Sequence, residues 1–230
     1  MGIYNCASTL NEAIDSIVAQ TYPNWEFIIC DDGSQDNSYW IAKEYEKKDS
    51  ERFRVIRNKK NKGLNITLNR CLKMADGDYI ARMDGDDLCD PTRFEKEVEI
   101  LNHHPEYAIV STHMTTFDEG GEWGCVKTLE KPQVKDFPTH IPMFCHAPCM
   151  IRREAFLDVK GYTVDKHLLR VEDYHLWYKL YAKGYKGYNI QEPLYMMRDD
   201  RNALHRRTLQ ARVNGIYATF IGFTMVELPK

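Results

Sequence analysis

From its start to about residue 112 the chain alternates short apolar runs with amphipathic stretches, at spacings too long for hairpins. No other feature constrains the fold as much, because strands joined by helical crossovers pair in parallel and need helices on both faces. The first amphipathic stretch places Leu10, Ala13, Ile14, Ile17 and Val18 on one helical face, with Thr9-Leu-Asn-Glu12 before them as a capping box. Trp25 to Cys30 reads as a buried strand of aromatic and β-branched residues. It ends in Asp31-Asp-Gly-Ser-Gln-Asp36, a turn-forming run that opens a helix reaching about Lys48. Phe53-Arg-Val-Ile56 is the next strand and Asn58 to Gly63 the loop after it. The helix that follows buries Leu64, Leu68, Cys71, Leu72 and Ala75, with Gly77 closing it. Tyr79 to Met83 reads as another buried strand, and Pro91 suits the first turn of a helix carrying Phe94, Val98 and Leu101.

Beyond residue 112 the order is less regular. Gly120, Gly121, Pro132, Pro138, Pro142 and Pro148 mark residues 113 to 150 as loops with short strands, and helices are expected over about 172–183 and 202–222. The opening Met1-Gly-Ile-Tyr-Asn5 reads as the end of a strand whose beginning precedes this sequence. A chain of 230 residues buries a sizeable core without covalent staples. The net charge of −3 argues against a nucleic-acid partner. Seven cysteines form no C-x-x-C pair, which fits reduced thiols in a cytoplasmic setting. Cys145-His-Ala-Pro-Cys149 offers three soft ligands, but no fourth stands at a zinc-site spacing. No apolar stretch approaches the 18 residues or so that a spanning helix needs.

The chemistry concentrates at strand ends. Parallel α/β sheets bind ligands beyond the carboxyl ends of their strands, where this chain carries Tyr4-Asn5, Asp31-Asp32 and Asp84-Gly-Asp86. A lone aspartate there, such as Asp31 or Asp36, is explained equally well as a helix cap. Asp84, Asp86, Asp87 and Asp90 within seven residues are not, since a cap needs one carboxylate. Paired carboxylates suit Mg²⁺ or Mn²⁺, which keep coordination positions for water and phosphate oxygens. Gly85 between them would let a diphosphate approach the backbone.

Five segments occur in order: Asp31-Asp-Gly-Ser34, Asn61-Lys-Gly63, Ala81-Arg-Met-Asp-Gly-Asp-Asp87, His146-Ala-Pro-Cys-Met-Ile-Arg-Arg153 and Glu172-Asp-Tyr-His-Leu-Trp177. Together they resemble a family 2 glycosyltransferase of the bacterial, surface-polysaccharide kind. That resemblance implies the α/β GT-A fold, a mostly parallel Rossmann-like sheet flanked by helices with an irregular C-terminal part on the acceptor side. It implies an inverting transfer from a nucleotide-sugar, UDP-linked by preference, to a saccharide or lipid-linked acceptor, assisted by Mn²⁺ or Mg²⁺. Residue by residue, Tyr4 would lie against uracil, Asp32 would hydrogen-bond it, and Asn61 would frame the pocket. Asp84 would stand near the ribose or metal, Asp86 on the metal, and Asp173 would be the general base. Glu172, His146, Arg198 and Arg206 are candidate contacts to diphosphate or acceptor. The pattern departs from the family at Gly2, where a Pro is usual, at Leu68, where an Arg is frequent, and at Met197-Arg-Asp-Asp200, which replaces Tyr-Arg-x-His.

The implied division is a donor half over 1–112, an acceptor and base half over 113–200, and a C-terminal helix over 201–230. Arg198, Arg201, Arg206, Arg207 and Arg212 precede an apolar stripe of Tyr217, Phe220 and Phe223, a pattern for a diphosphate clamp, peripheral contact with the inner face of a cell membrane, or a solvated face. Two other classes stay open: a nucleotidyltransferase, which usually carries a glycine-rich basic loop after its first strand, and a non-catalytic nucleotide-binding subunit.

Overall fold

The computed structural model describes residues 1–137, 139, 142–199 and 209–226. The expected alternation forms β1 (Gly2–Ile3), α1 (Leu10–Val18), β2 (Phe27–Asp31), α2 (Ser38–Lys48), β3 (Phe53–Arg57), α3 (Leu64–Met74), β4 (Tyr79–Ala81), β5 (Leu88–Cys89) and α4 (Arg93–His103). Then follow β6 (Tyr107–Asp118), β7 (Gly121–Val126), β8 (Met150–Arg152), α5 (Arg153–Asp158), α6 (Glu172–Ala182), β9 (Lys186–Arg198) and α7 (Leu209–Phe223).

Strands β1, β2 and β3 pair in parallel, with Gly2 opposite Cys30 and Phe27 opposite Phe53. All five residues of β2 are buried, as a strand covered on both faces requires. A second sheet runs β4-β8-β6-β9-β5, with β7 added to β6. A parallel bridge between Gly2 and Asp84 joins the two sheets at the acidic loop. Since β1 covers only the C-terminal end of β2, a cavity of about 410 Å³ lies between β2 and β4, lined by Phe27, Ile28, Leu68, Tyr79 and Ile151 among others.

Several expectations are corrected. Thr9 caps no helix with its side chain: its hydroxyl donates to the carbonyls of Cys6 and Gly85 instead. Val18 is exposed, because α1 ends there and only Leu10, Ala13, Ile14 and Ile17 face the core. Helix α3 ends at Met74 as Ala75 turns extended, so Gly77 does not close it. The run after Gly77 is a half-buried strand of three residues, paired antiparallel to β8. Residues 113–150 hold half of β6, a strand of 12 residues that runs across residue 112, so the two halves share one sheet. The 13-residue β9 carries Pro193, which is tolerated because the register slips between Ile190 and Pro193. The expected start of the last helix at 202 lies outside the described residues.

A second apolar cluster supports the C-terminal half. Phe144 lies edge-on to Trp177 at 5.2 Å, both fully buried beside Ile151, Leu176 and Leu180. A Cβ on Gly187 would stand 2.3 Å from the Phe144 ring, so β9 passes that ring only as glycine. Replacing Phe144 by Ala is expected to cost roughly 3–5 kcal/mol, measured by urea unfolding. A loss below about 1 kcal/mol would mean that this cluster is not a core.

Candidate active site

Four loops leave the C-terminal ends of β1 to β4 and brace one another. Gly33 has φ +78, and a Cβ there would meet the backbone of Lys60 at 2.7 Å, so the loop after β3 packs directly on the turn after β2. Asp32, 4% exposed, draws these loops together by accepting from Asn58 Nδ2 at 2.6 Å and from the Lys62 and Gly63 amides at 2.9 and 2.8 Å. Asn61 belongs to the same loop, its Oδ1 accepting from the Gly63 amide. Asn5, in the left-handed region at φ 51, ties the first loop to the second through Ser34 Oγ and the Gln35 amide. Tyr4 projects from that first loop, half exposed. Asp31 is fully buried and salt-bridged to Arg57 at 2.8 Å, a structural role. Asp36 accepts from the Ser38 amide and hydroxyl at the start of α2, much as a cap does.

The acidic loop presents its carboxylates unequally. Asp87 is buried, accepting from the Tyr195 hydroxyl at 2.9 Å and the Arg198 amide at 2.7 Å. Burial, then the charges of Asp84 and Asp86, push its carboxyl up to about 7. Asp84 pairs with Arg82 at 2.7 Å, and its amide donates to the Tyr195 hydroxyl. Asp86 is exposed, and no side chain pairs with it among the described residues. Surrounding protein and then the Asp84 charge raise its carboxyl above the usual range. Gly85 serves packing rather than ligand approach: a Cβ there would lie 2.8 Å from Cys6 Sγ and 3.1 Å from Ile3 Cγ2. Among the described residues no three Asp, Glu, His or Cys side chains converge into a closed metal cage. An outward, unpaired carboxylate beside a second one suits a hard cation that fills its other positions with water and phosphate oxygens.

The other side of the cleft is built by α6. Glu172 and Asp173 form its first turn, while Leu176 and Trp177 are fully buried on its inner face. Burial, then Glu172, push the Asp173 carboxyl up to about 7, against the opposing pull of the Tyr174 amide and Arg82. His146 Nε2 lies 2.7 Å from the Tyr162 hydroxyl, and burial together with Arg82 keeps the imidazole neutral. Arg198 reaches Glu12 at 2.7 Å and the Asp86 carbonyl at 3.0 Å and stacks on Phe117. Arg206 lies outside the described residues. Sequence reasoning assigned no role to Arg82, Tyr162 or Tyr195. Arg82 stands inside a quoted motif, and an arginine two residues before an aspartate is a usable signal. Tyr195 reaches Asp87 across 108 residues, with no local signal at all.

Residues 1–159 match the model of the glycosyl transferase family 2. The Bacillus subtilis protein EpsE, named as a glycosyltransferase, is 43% identical over 229 residues, covering all of this chain and 82% of that protein. Among solved structures, S. aureus TarS in complex with UDP-GlcNAc superimposes with a TM-score of 0.78 at 16% identity, over 99% of this chain and 66% of that one. The mannosyltransferase PcManGT of Pyrobaculum calidifontis, in complex with GDP-Man and Mn²⁺, gives 0.77 at 16% identity, over 99% of this chain and 64% of that one. The nucleotidyltransferase alternative is set aside. This chain therefore belongs to glycosyl transferase family 2, and it is a glycosyltransferase with the GT-A fold.

Proposed function

We propose that this glycosyltransferase moves a sugar, with inversion, from a nucleoside diphosphate donor to a hydroxyl of a saccharide or lipid-linked acceptor, UDP-sugars being the preferred donors. One observation carries the reading: Asp84 and Asp86 stand at the strand ends of one half, and Asp173, with a raised proton affinity, opens a helix of the other. Donor binding falls to residues 1–112, acceptor binding and the base to 113–200, and the C-terminal helix to 201–230. The TarS and PcManGT complexes, with UDP-GlcNAc and with GDP-Man and Mn²⁺, support a nucleotide-sugar donor and a cation.

In this reading Tyr4 stacks on the base, while Asp32 and Asn61 shape the pocket around it. The acceptor oxygen attacks the anomeric carbon, its proton passes to Asp173, and the bond to the diphosphate breaks with the electron pair leaving on phosphate. A base of this kind contributes about 10²–10⁴-fold. Mn²⁺ or Mg²⁺ held by Asp84 and Asp86 would offset the charge growing on the leaving group. Glu172 raises the proton affinity of Asp173 by its charge, so the pair acts as one base with Asp173 as acceptor. His146, being neutral, serves as a hydrogen-bonding partner rather than as a cation. Arg198 and Arg206 are the candidate cationic contacts to the diphosphate.

Helix α7 supports contact with the inner face of a cell membrane from the cytoplasmic side. No helix of the described residues is long and apolar enough to cross a membrane. Yet Leu209, Val213, Ile216 and Phe220 form one exposed stripe, with Leu209 77% and Ile216 74% accessible. Exposed Lys166, Arg170 and Arg212 carry positive charge on α7 and the short turn that packs against it, as an interfacial helix on anionic lipid requires.

Calorimetry is expected to show UDP binding that needs Mn²⁺ and is lost in Asp86→Ala at an unchanged melting temperature. Equal UDP affinity in EDTA would refute the cation site. With a donor found from a panel of nucleotide-sugars, Asp173→Asn should keep donor binding and lose about 10²-fold or more in turnover, whereas Glu172→Gln should lose less. Because the base must be ionised, parent turnover should climb through about pH 7. A dead Glu172→Gln beside an active Asp173→Asn reverses the assignment. For the membrane surface, the protein should sediment with anionic liposomes at low salt, release at high salt, and lose binding in Ile216→Asp/Phe220→Asp; no sedimentation at low salt removes the idea.

A further inference from the structure

We propose that Arg82 is a positioning residue for both sides of the cleft, its guanidinium fixing Asp84 on the donor side and offsetting the charge of Asp173 on the acceptor side. The inference rests on the reading of Asp84 and Asp86 as cation ligands and of Asp173 as base. Arg82 is held rigidly. Its amide donates to the Cys149 carbonyl at 2.9 Å, and its own carbonyl accepts from Arg93 at 3.1 Å. Its side chain is 10% exposed and pairs with Asp84 at 2.7 Å, while the buried Nε has no partner among the described residues. Arg82 and Tyr162 line the same cavity, and the Tyr162 hydroxyl meets His146. The positive charge of Arg82 favours the ionised form of Asp173 and the neutral form of His146.

Arg82 pairs with Asp84 of one half-site, and its charge also acts on Asp173 of the other. Of the other guanidinium groups nearby, that of Arg198 is committed to Glu12 and the Asp86 carbonyl, and that of Arg93 to Glu97 and the Arg82 carbonyl. With one oxygen of Asp84 taken by Arg82, that carboxylate is oriented before any cation arrives, while Asp86 stays open. The cost is electrostatic, since a fixed positive charge beside Asp84 weakens cation binding there. Removing it should therefore shift two observables in directions that misfolding would not produce.

The test uses the full chain, Mn²⁺ alone as probe, and thermal unfolding at one pH. Arg82→Met is expected to bind Mn²⁺ roughly 3–10-fold more tightly than the parent, because a like charge a few ångströms from the pair is gone. Arg82→Lys, which keeps the charge, should stay within about twofold of the parent. In a double-mutant cycle, Asp173→Asn should raise the melting temperature more in the Arg82→Met background than in the parent, since Asp173 has lost its compensating charge. Equal or weaker Mn²⁺ binding in Arg82→Met overturns the donor-side part, and an equal effect of Asp173→Asn in both backgrounds overturns the acceptor-side part. If the parent binds no Mn²⁺, the cation reading has failed, and the unfolding cycle still decides whether Arg82 serves Asp173. Should Arg82→Met not fold, Asp173→Asn or Asp84→Asn must restore folding; failure of both to do so overturns the proposal.

Discussion

Asp87 takes a carboxylate into the interior, and the rest of the site depends on how that charge is accommodated. Its two bonds, from the Tyr195 hydroxyl and the Arg198 amide, both come from β9, so the acidic loop is anchored to the strand that pairs with β5 and β6. Hydrogen bonds to a charged group contribute about 1.5–3 kcal/mol each, and a buried carboxylate without them would be strongly destabilising. Tyr195 extends the clamp by also accepting from the Asp84 amide. With Asp87 facing in and Asp84 held by Arg82, Asp86 is the carboxylate left facing out. Three adjacent acids thus acquire three different environments from one tyrosine and two arginines.

Raised proton affinities at Asp86, Asp87 and Asp173 mark a region where the fold works against its own electrostatics. Such clustering is a signature of functional sites, although structural ion pairs also produce it. Arg93 and Glu97 are the structural case. They lie one helical turn apart on α4, both fully buried, 3.6 Å apart, and Arg93 supports the Arg82 carbonyl. The buried pair acts on the site through the Arg82 carbonyl and through the Tyr195 ring, over which Arg93 lies at 5.4 Å, whereas Arg82 pairs with Asp84 directly.

The donor half was legible because its information is local. Apolar residues at helical spacing and turn residues after each strand are visible within windows of about 11–18 residues, and α1, α2, α3, α4 and α6 lie close to where those patterns put them. The acidic loop was legible because no single cap explains its charge. Strands β6 and β9 were not. His113, Thr115 and Thr116 are buried polar residues in a stretch that reads as loops with short strands, and Pro193 sits in β9 where a register slip absorbs it. Their burial comes from pairing with each other across some 80 residues of chain, which no local pattern encodes. Thr9, Gly85, Tyr195 and Arg82 were missed or misread for the same reason: each acts on a partner chosen by the fold.

The same topology makes the two halves interdependent. Strand β4 delivers Arg82 and the acidic loop, and it pairs with β8, where Ala81 faces Met150. Immediately before β8 comes the turn from His146 to Cys149, closed by the Cys149 amide on the His146 carbonyl. Thus the Arg82 amide and the turn bearing His146 share the Cys149 peptide region, and any shift of that turn reaches Asp84 through one residue. The acidic loop and the turn bearing His146 are therefore linked through a short antiparallel pair of three residues each, beside the bonds from β9 that hold Asp87. A GT-A enzyme built this way has little freedom to vary its acceptor-side turn without also moving its acidic loop.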